Sequence, residues 1–361
     1  MHQKPSGVRI DMAYTTIDDP SAHFQTTLYS GTGSSQAITN GGNSDLQPDL
    51  IWIKNRANTH DHVLMDSTRG VTKRVAPNTT DAEETSSNYV SAFSSDGFTV
   101  VSEGAVNASS SGEYVAWQWK ANGSTTSSNT TGDINTTVQV NSDAGFSIIT
   151  YTGNNTDDQT IGHGLGAVPE FAVFKSRAGA AGTGNWSITH SAFSGTEYIF
   201  FTDAAKASAN NNFKSTPTST IFTLGDSDVN EAETILCYAW TPIQGYSKFG
   251  SYTGNGNTDG IFVYLGFKPA FLIIKKTSGT QHWQMRDNKR DTYNEDSDEL
   301  LFTSTNGATT TSGNNIADFV SNGFKLRGTG ADHNEDGGTF IYMAFAEQPL
   351  VTSGGVPCTA R

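Results

Sequence analysis

The sequence has few charged residues, only two cysteines and no long hydrophobic run. Charged residues make up 16 % of its 361 residues, which is far from the charge-rich composition of a disordered chain. The two cysteines show neither a disulfide framework nor a Cys-x-x-Cys metal spacing. No stretch reaches transmembrane length, and the N-terminus lacks the apolar core of a signal peptide. These absences predict a protein that is made in a cytoplasm and does not insert into a membrane.

Basic residues are scarce relative to acidic ones, with 22 Lys and Arg against 36 Asp and Glu. Because nucleic-acid binding depends on basic side chains that neutralise phosphates, the formal net charge of −14 argues against a DNA- or RNA-binding function. The sequence also contains no Gly-x-Ser-x-Gly elbow, no P-loop and no His-Glu-x-x-His helix. We therefore predict a protein that is not an enzyme. A glycan depolymerase with paired carboxylates is a less favoured alternative, because carboxylates are abundant everywhere in so acidic a chain.

The sequence is rich in aromatic residues and in turn formers. Twenty Phe, twelve Tyr and six Trp provide apolar area for a core. Short β-branched and aromatic runs with period-two alternation, separated by Asp-Gly and Asn-Gly pairs, indicate strands joined by tight turns. Long apolar stripes at helical spacing are missing, and the best helical candidate, residues 315–321, is short. The sequence therefore predicts an all-β fold.

One pattern occurs three times along the chain. Each copy opens with a short aromatic run that ends in Gly, starting at Phe24, Phe146 or Phe249. Each continues with an apolar run that begins at a Pro and ends, always at the same separation, at Lys54, Lys175 or Lys275. Each closes on a similar motif that ends at Trp117, Trp240 or Phe345. We expect the three lysines to cover apolar surface with their stems while their charges stay in water.

This pattern predicts three tandem antiparallel β-sandwich repeats of about 100 residues, of jelly-roll or lectin-like type. The predicted bounds of the repeats are 24–120, 146–242 and 248–348. A stretch rich in Gly, Ser, Thr and Asn at 121–145 predicts a flexible linker. Repeats two and three are joined only by residues 241–247, so these two should pack as a unit. Residues 1–23 are predicted to form an N-terminal arm and residues 349–361 a loose C-terminal tail.

The Tyr-Thr-Gly openings at Tyr151 and Tyr252, the Pro-to-Lys strands and the Tyr-Val-Ala-Trp117 close resemble repeat-containing virion proteins of marine and cyanobacterial phages. That family is associated with tail fibres and is regarded as related to lectin-like sandwiches, and the resemblance covers roughly residues 12–348. It implies a virion protein, synthesised in the host cytoplasm, whose partners are other virion proteins. It favours a tail-fibre or tail-tip adhesin that contacts a host-surface glycan or protein, with a capsid-decorating or connector protein as the alternative. It also implies a homo-oligomer, for which we expect a trimer.

Two loops carry the alternating oxygen-bearing side chains of a calcium site. One contains Asp332, Asn334 and Asp336 and matches the first half of a calcium loop, whereas the Glu that would complete it is missing. The other, at the equivalent position of the second repeat, contains Asp226, Asp228 and Asn230. The sequence leaves two readings open: calcium bound at these residues as the only cofactor, or solvated turns, since Asp and Asn favour turns in any case.

A carbohydrate site needs an exposed aromatic platform beside polar groups, and three tryptophans are candidates for it. Trp119 has no aromatic counterpart at the matching position of the other repeats, where Pro242 and Glu347 stand. Trp186 and Trp283 lie on the strand that follows the Lys and fit either a platform or a core. The tryptophans at repeated positions, Trp52, Trp117 and Trp240, are predicted to lie in the core.

Overall fold

The structure is a computed structural model that describes residues 13–109, 112–179, 184–294, 299–311 and 316–359. Within these residues it contains 28 strands, whose ladders are all antiparallel, so the predicted all-β fold is confirmed. The helical elements of this part of the chain are a 3-10 turn (Pro20–Ala22) and a single turn of α-helix, α1 (Gly104–Asn107). The best helical candidate, 315–321, forms a strand at Ala317–Val320, and residue 315 lies outside the described residues.

The strands fall into three segments of the chain with a short insertion after the first. The first segment contains β1 (Phe24–Ser30), β2 (Gln36–Ile38), β3 (Leu50–Asn55), β4 (Val63–Asp66), β5 (Lys73–Arg74), β6 (Glu84–Thr85), β7 (Val90–Ser94), β8 (Gly97–Val100) and β9 (Glu113–Trp119). The insertion contains β10 (Ser127–Asn129) and β11 (Thr136–Asn141). The second segment contains β12 (Phe146–Thr152), β13 (Gln159–Gly162), β14 (Phe171–Ser176), β15 (Trp186–His190), β16 (Glu197–Phe200), β17 (Ala207–Ser208), β18 (Ile221–Leu224) and β19 (Thr234–Trp240). The third contains β20 (Ser247–Thr253), β21 (Phe262–Tyr264), β22 (Phe267–Lys276), β23 (Gln284–Asp287), β24 (Glu299–Phe302), β25 (Thr310–Thr311), β26 (Ala317–Val320), β27 (Gly323–Leu326) and β28 (Thr339–Pro349).

Each segment contributes one large sheet, and the same order of four strands occurs in all three. That order is β1-β9-β3-β4 in the first sheet, β12-β19-β14-β15 in the second and β20-β28-β22-β23 in the third. The second and third sheets continue with further strands at their edges. A smaller sheet belongs to each segment: β2-β8-β7, β13-β18 and β21-β27-β26. Strands β5 and β6 form a separate two-stranded sheet.

Each large sheet is buried on both faces, which explains why its strands read as nearly continuous apolar runs. Successive side chains of a strand point to opposite faces, so Ile51 and Ile53 pack under the small sheet while Leu50 and Trp52 point the other way. Residues of all three large sheets meet on that second face in one common core. The three large sheets therefore share one core on this face, and each packs a second, separate core on its other face.

The common core is dominated by aromatic rings from all three segments. The Trp119 ring lies 6.1 Å from that of Trp240 and 5.6 Å from that of Phe345, both edge-on. These three residues hold the same register in their sheets, since they lie opposite Leu50, Phe171 and Phe271 respectively. The sheet register thus differs by two residues from the sequence match of Trp117 with Trp240 and Phe345.

Hydrogen bonds between neighbouring segments close a ring. The Trp186 Nε1–H donates to Ala76 O at 3.0 Å, which joins the second segment to the first. The Trp283 Nε1–H donates to Phe200 O at 2.8 Å, which joins the third segment to the second. His62 takes the corresponding place in the first segment, and its Nε2 lies 3.1 Å from Phe302 O of the third. Each of the three segments therefore contacts both of the others.

The predicted linker and terminal segments are ordered where the structure describes them. In the predicted flexible linker 121–145, β11 pairs with β12 of the second sheet, so that prediction is wrong for this stretch. The N-terminal residues 1–12 lie outside the described residues, but Ile17 is buried in the common core. The Asp18 carboxylate accepts a 2.6 Å hydrogen bond from Ser353 N, so the two terminal segments lie side by side. None of the described helices is long and apolar enough to cross a membrane.

Candidate functional site

The three tryptophans predicted to form a carbohydrate platform are buried. Trp119 and Trp186 are each 2 % exposed and Trp283 is 1 % exposed, so none of them presents a ring face to solvent. This corrects the platform prediction: Trp119 fills the common core, while Trp186 and Trp283 tie neighbouring segments together through their indole N–H groups. The core prediction for Trp52, Trp117 and Trp240 is confirmed by their burial.

The predicted calcium loops contain an asparagine that is already engaged with the backbone. Asn334 accepts a 3.0 Å hydrogen bond from Asn255 N and donates to Asn257 O and Gly328 O at 2.9 and 2.8 Å. Asn230 makes the same type of contact, accepting from Asn154 N and donating to Thr156 O.

In the first segment, Asn107 accepts from Thr32 N and donates to Ser34 O. All three asparagines therefore fasten the loop that follows the opening strand of their segment. The sequence does not reveal this role of Asn107, because nothing in it distinguishes an asparagine clamp from a metal ligand.

The remaining predicted ligands do not converge in the described structure. Asp332 accepts hydrogen bonds from His333 and Gln284, and Asp336 is exposed. Asp228 is buried, whereas Asp226 lines a cleft of about 490 Å³ together with other acidic side chains. In the described part of the chain, no three His, Cys, Asp or Glu side chains are grouped so as to hold a metal ion. Asn230 and Asn334 thus hold loop backbone in the described structure, and calcium binding at these loops stays a prediction.

A cleft of about 570 Å³ opens where the three segments meet, and we call it the junction cleft. The residues that line it are Pro77, Asn78, Thr79, Thr80, Asp81, Asn185, Trp186, Phe201, Thr202, Asp203, His282 and Ser304. Its volume falls in the range of small-molecule sites, and most of the residues that line it have polar side chains. Sequence reasoning missed it because the lining comes from loops of three segments, each without a motif of its own.

The floor of the junction cleft is aromatic and its walls are hydrogen-bonding groups. The rings of Trp186 and Phe201 lie 6.0 Å apart at the floor, with only narrow exposed edges. Asp81 and Asp203 are exposed at the walls, and the structure describes no hydrogen bond or ion pair of their carboxylates. His282 Nδ1 lies 2.9 Å from Ser304 Oγ at a third side. Among the contacts described for His282, no further group orients it as the base of a hydrolytic triad.

Buried lysines hold the loops that form the walls. The Lys175 Nζ donates to Thr80 O at 3.2 Å, and the Lys275 Nζ donates to Asp203 O at 2.9 Å. Both lysines, like Lys54, are 0 % exposed, so the expectation that these charges stay in water is wrong. Burial lowers the pKa of each of the three ammonium groups from 10.5 to about 8.

The junction cleft can therefore bind a ligand rich in hydroxyl groups. Its carboxylates accept hydrogen bonds, its amides and hydroxyls both donate and accept, and its floor offers a small apolar contact. No curated protein and no solved structure matches the chain. A family model described as a domain of unknown function, DUF7483, matches residues 19–349, which includes all three segments. The chain belongs to the DUF7483 family.

Proposed function

We propose that this chain is a phage virion protein, a tail-fibre or tail-tip adhesin that contacts a host-surface glycan through the junction cleft. On this proposal the three segments are divergent copies of one lectin-like sandwich module of about 100 residues. Two observations support a common origin of the three segments. The large sheets share one order of four strands, and Lys54, Lys175 and Lys275 hold equivalent positions in them.

The observation that carries the binding function is the chemistry of the junction cleft. Asp81, Asp203 and His282 come from three different segments and converge on one opening over an aromatic floor. Two exposed carboxylates and an imidazole thus stand together beside an apolar contact, which is the combination that a polyhydroxylated ligand requires. Acidic residues of this kind also argue against nucleic acid as the ligand, because phosphates would be repelled.

The closed ring supports an adhesin because it fixes the loops around the cleft. Trp186, Trp283 and His62 each tie the base of one loop to the neighbouring segment, so the cleft is held open before any ligand arrives. A preformed site avoids the cost of ordering its loops on binding.

Labelling of intact particles of the source phage with gold-conjugated antibody, viewed by electron microscopy, tests the proposal. We expect gold at the tail or on the fibres. Gold spread over the head would make the chain a decoration protein and remove the adhesin function. Antigen found only in the lysate, with unlabelled particles, would contradict the virion function itself. Light scattering on the purified chain tests the expected trimer, which would have about three times the mass of the 38.5 kDa chain.

A further inference from the structure

The junction cleft is anionic as well as polar. Among the residues that the structure describes, those lining the cleft include two Asp but no Lys or Arg. Asp81 and Asp203 are both exposed, and neither carboxylate is neutralised by a described ion pair. A ligand that enters the cleft therefore meets two exposed carboxylates, one from each of two segments, and no accessible cationic side chain.

The lysines behind the walls offset this charge only in part. Lys175 attracts the Asp81 carboxylate through space and Lys275 attracts that of Asp203, but no ion pair between them is described. Lys175 and Lys275 are fully buried, and their ammonium groups donate to main-chain carbonyls of the wall loops. An acidic group on a ligand cannot reach them, because the loops stand between the ammonium groups and the opening. The accessible groups of the cleft are thus carboxylates, amides, hydroxyls and an imidazole.

Such a set of groups discriminates by charge. A carboxylate that forms no described ion pair accepts hydrogen bonds from sugar hydroxyls, and these charge-assisted bonds are stronger than those between neutral groups. The same carboxylate repels a ligand carboxylate or sulfate, and one close pair of like charges weakens binding on the order of tenfold.

We propose that the junction cleft binds neutral, polyhydroxylated saccharides and rejects acidic ones. This inference rests on the proposed glycan-binding function and names the ligand class of the same site. Asp81 and Asp203 accept from the sugar hydroxyls, and the edges of Trp186 and Phe201 contact the C–H groups of the ring.

Isothermal titration calorimetry on the whole chain tests the inference with charged and uncharged partners of similar structure. The probes are lactose against 3′-sialyllactose, and α-1,4-galactotriose against trigalacturonate. We expect saturable binding of a neutral probe and binding of its acidic counterpart that is roughly tenfold or more weaker. Reversing the charge with Asp81→Lys and Asp203→Lys together should abolish this preference. Asp143→Lys, at an exposed aspartate outside the cleft, should leave it unchanged.

A second variant keeps the test decisive if the charge reversal perturbs folding. Thr80→Trp places a bulky ring in the cleft from an exposed position and should abolish binding of the neutral probe. Equal or tighter binding of the acidic probes by the wild-type chain would overturn the inference. So would a wild-type chain that binds host cells saturably but binds no neutral probe, an outcome that leaves the adhesin function standing. A chain that binds neither probes nor cells would overturn both.

Discussion

Because three lysines are fully buried, we expect the free energy of unfolding to rise with pH in the alkaline range. Burial lowers the pKa of Lys175 from 10.5 to about 8. The folded protein therefore loses this proton at a lower pH than the unfolded chain does. Below pH 8 both states carry the proton, and the folded state bears the full cost of burying the charge. Between pH 8 and 10.5 the unfolded chain binds more protons, so stability should rise with pH.

The cost for each lysine follows from this difference in pKa. A lowering from 10.5 to about 8 corresponds to about 3 kcal/mol at neutral pH. Lys175→Met removes the charge but also leaves Thr80 O and Gly184 O without their donor, a loss of about 1–3 kcal/mol. We therefore expect the variant to be about as stable as the wild type at pH 7 and clearly less stable at pH 10.

Urea unfolding followed by tryptophan fluorescence at pH 7, 8, 9 and 10 measures this change. The difference in the free energy of unfolding between Lys175→Met and the wild type should shift by about 3 kcal/mol across this range. Lys289→Met, at an exposed lysine, serves as the control and should show a constant difference. The same difference for Lys175→Met at pH 7 and pH 10 would refute the reasoning, since the ammonium would then bear no burial cost.

Four further predictions concern the fold and the calcium loops. Burial lowers the pKa of His62 to about 3 and of His163 and His190 to about 4. Between pH 6.5 and 4 the unfolded chain therefore binds more protons than the folded protein, so stability should fall as the pH drops through this range. A urea midpoint that stays constant over this range would contradict this. Asn334→Ala should cost roughly 2–3 kcal/mol in urea unfolding, because it frees buried backbone groups of the clamped loop, and a loss below about 0.5 kcal/mol would show that the clamp is unimportant. A chelator should leave the melting midpoint unchanged, and a shift that added calcium reverses would restore the metal site. Trp119→Ala should cost roughly 3–5 kcal/mol while unfolding stays a single transition, whereas separate transitions would mean that the segments are independent.

The strands could be predicted from the sequence because their signals are local. The Pro-to-Lys runs correspond to β3, β14 and β22, where a buried strand needs nearly continuous apolar residues. The Asp-Gly and Asn-Gly pairs fall at the β7–β8 and β26–β27 hairpins. Gly97 has a φ of 116°, which an L side chain rarely adopts, and this explains the glycine in that turn.

The sequence does not show which residues pack against each face of a sheet. Period-two alternation shows that Trp117 and Trp119 share a face, but both alignments with Trp240 preserve that face, so only the sheet register decides between them. The stretch 121–145 has the composition of a linker, yet β11 gains a pairing partner that is contributed by the second segment. Burial of the lysine charges also depends on loops from neighbouring segments, and no local signal encodes it.

The most direct test of the proposed adhesin function is binding of the purified chain to cells of the proposed phage's host. We expect saturable binding by the wild type, at least about tenfold weaker binding by Thr80→Trp, and unchanged binding by Thr258→Trp, which adds the same ring at an exposed position outside the junction cleft. Wild-type-like binding by Thr80→Trp, or no saturable binding by the wild type, would contradict the claim that this cleft is a host-glycan site.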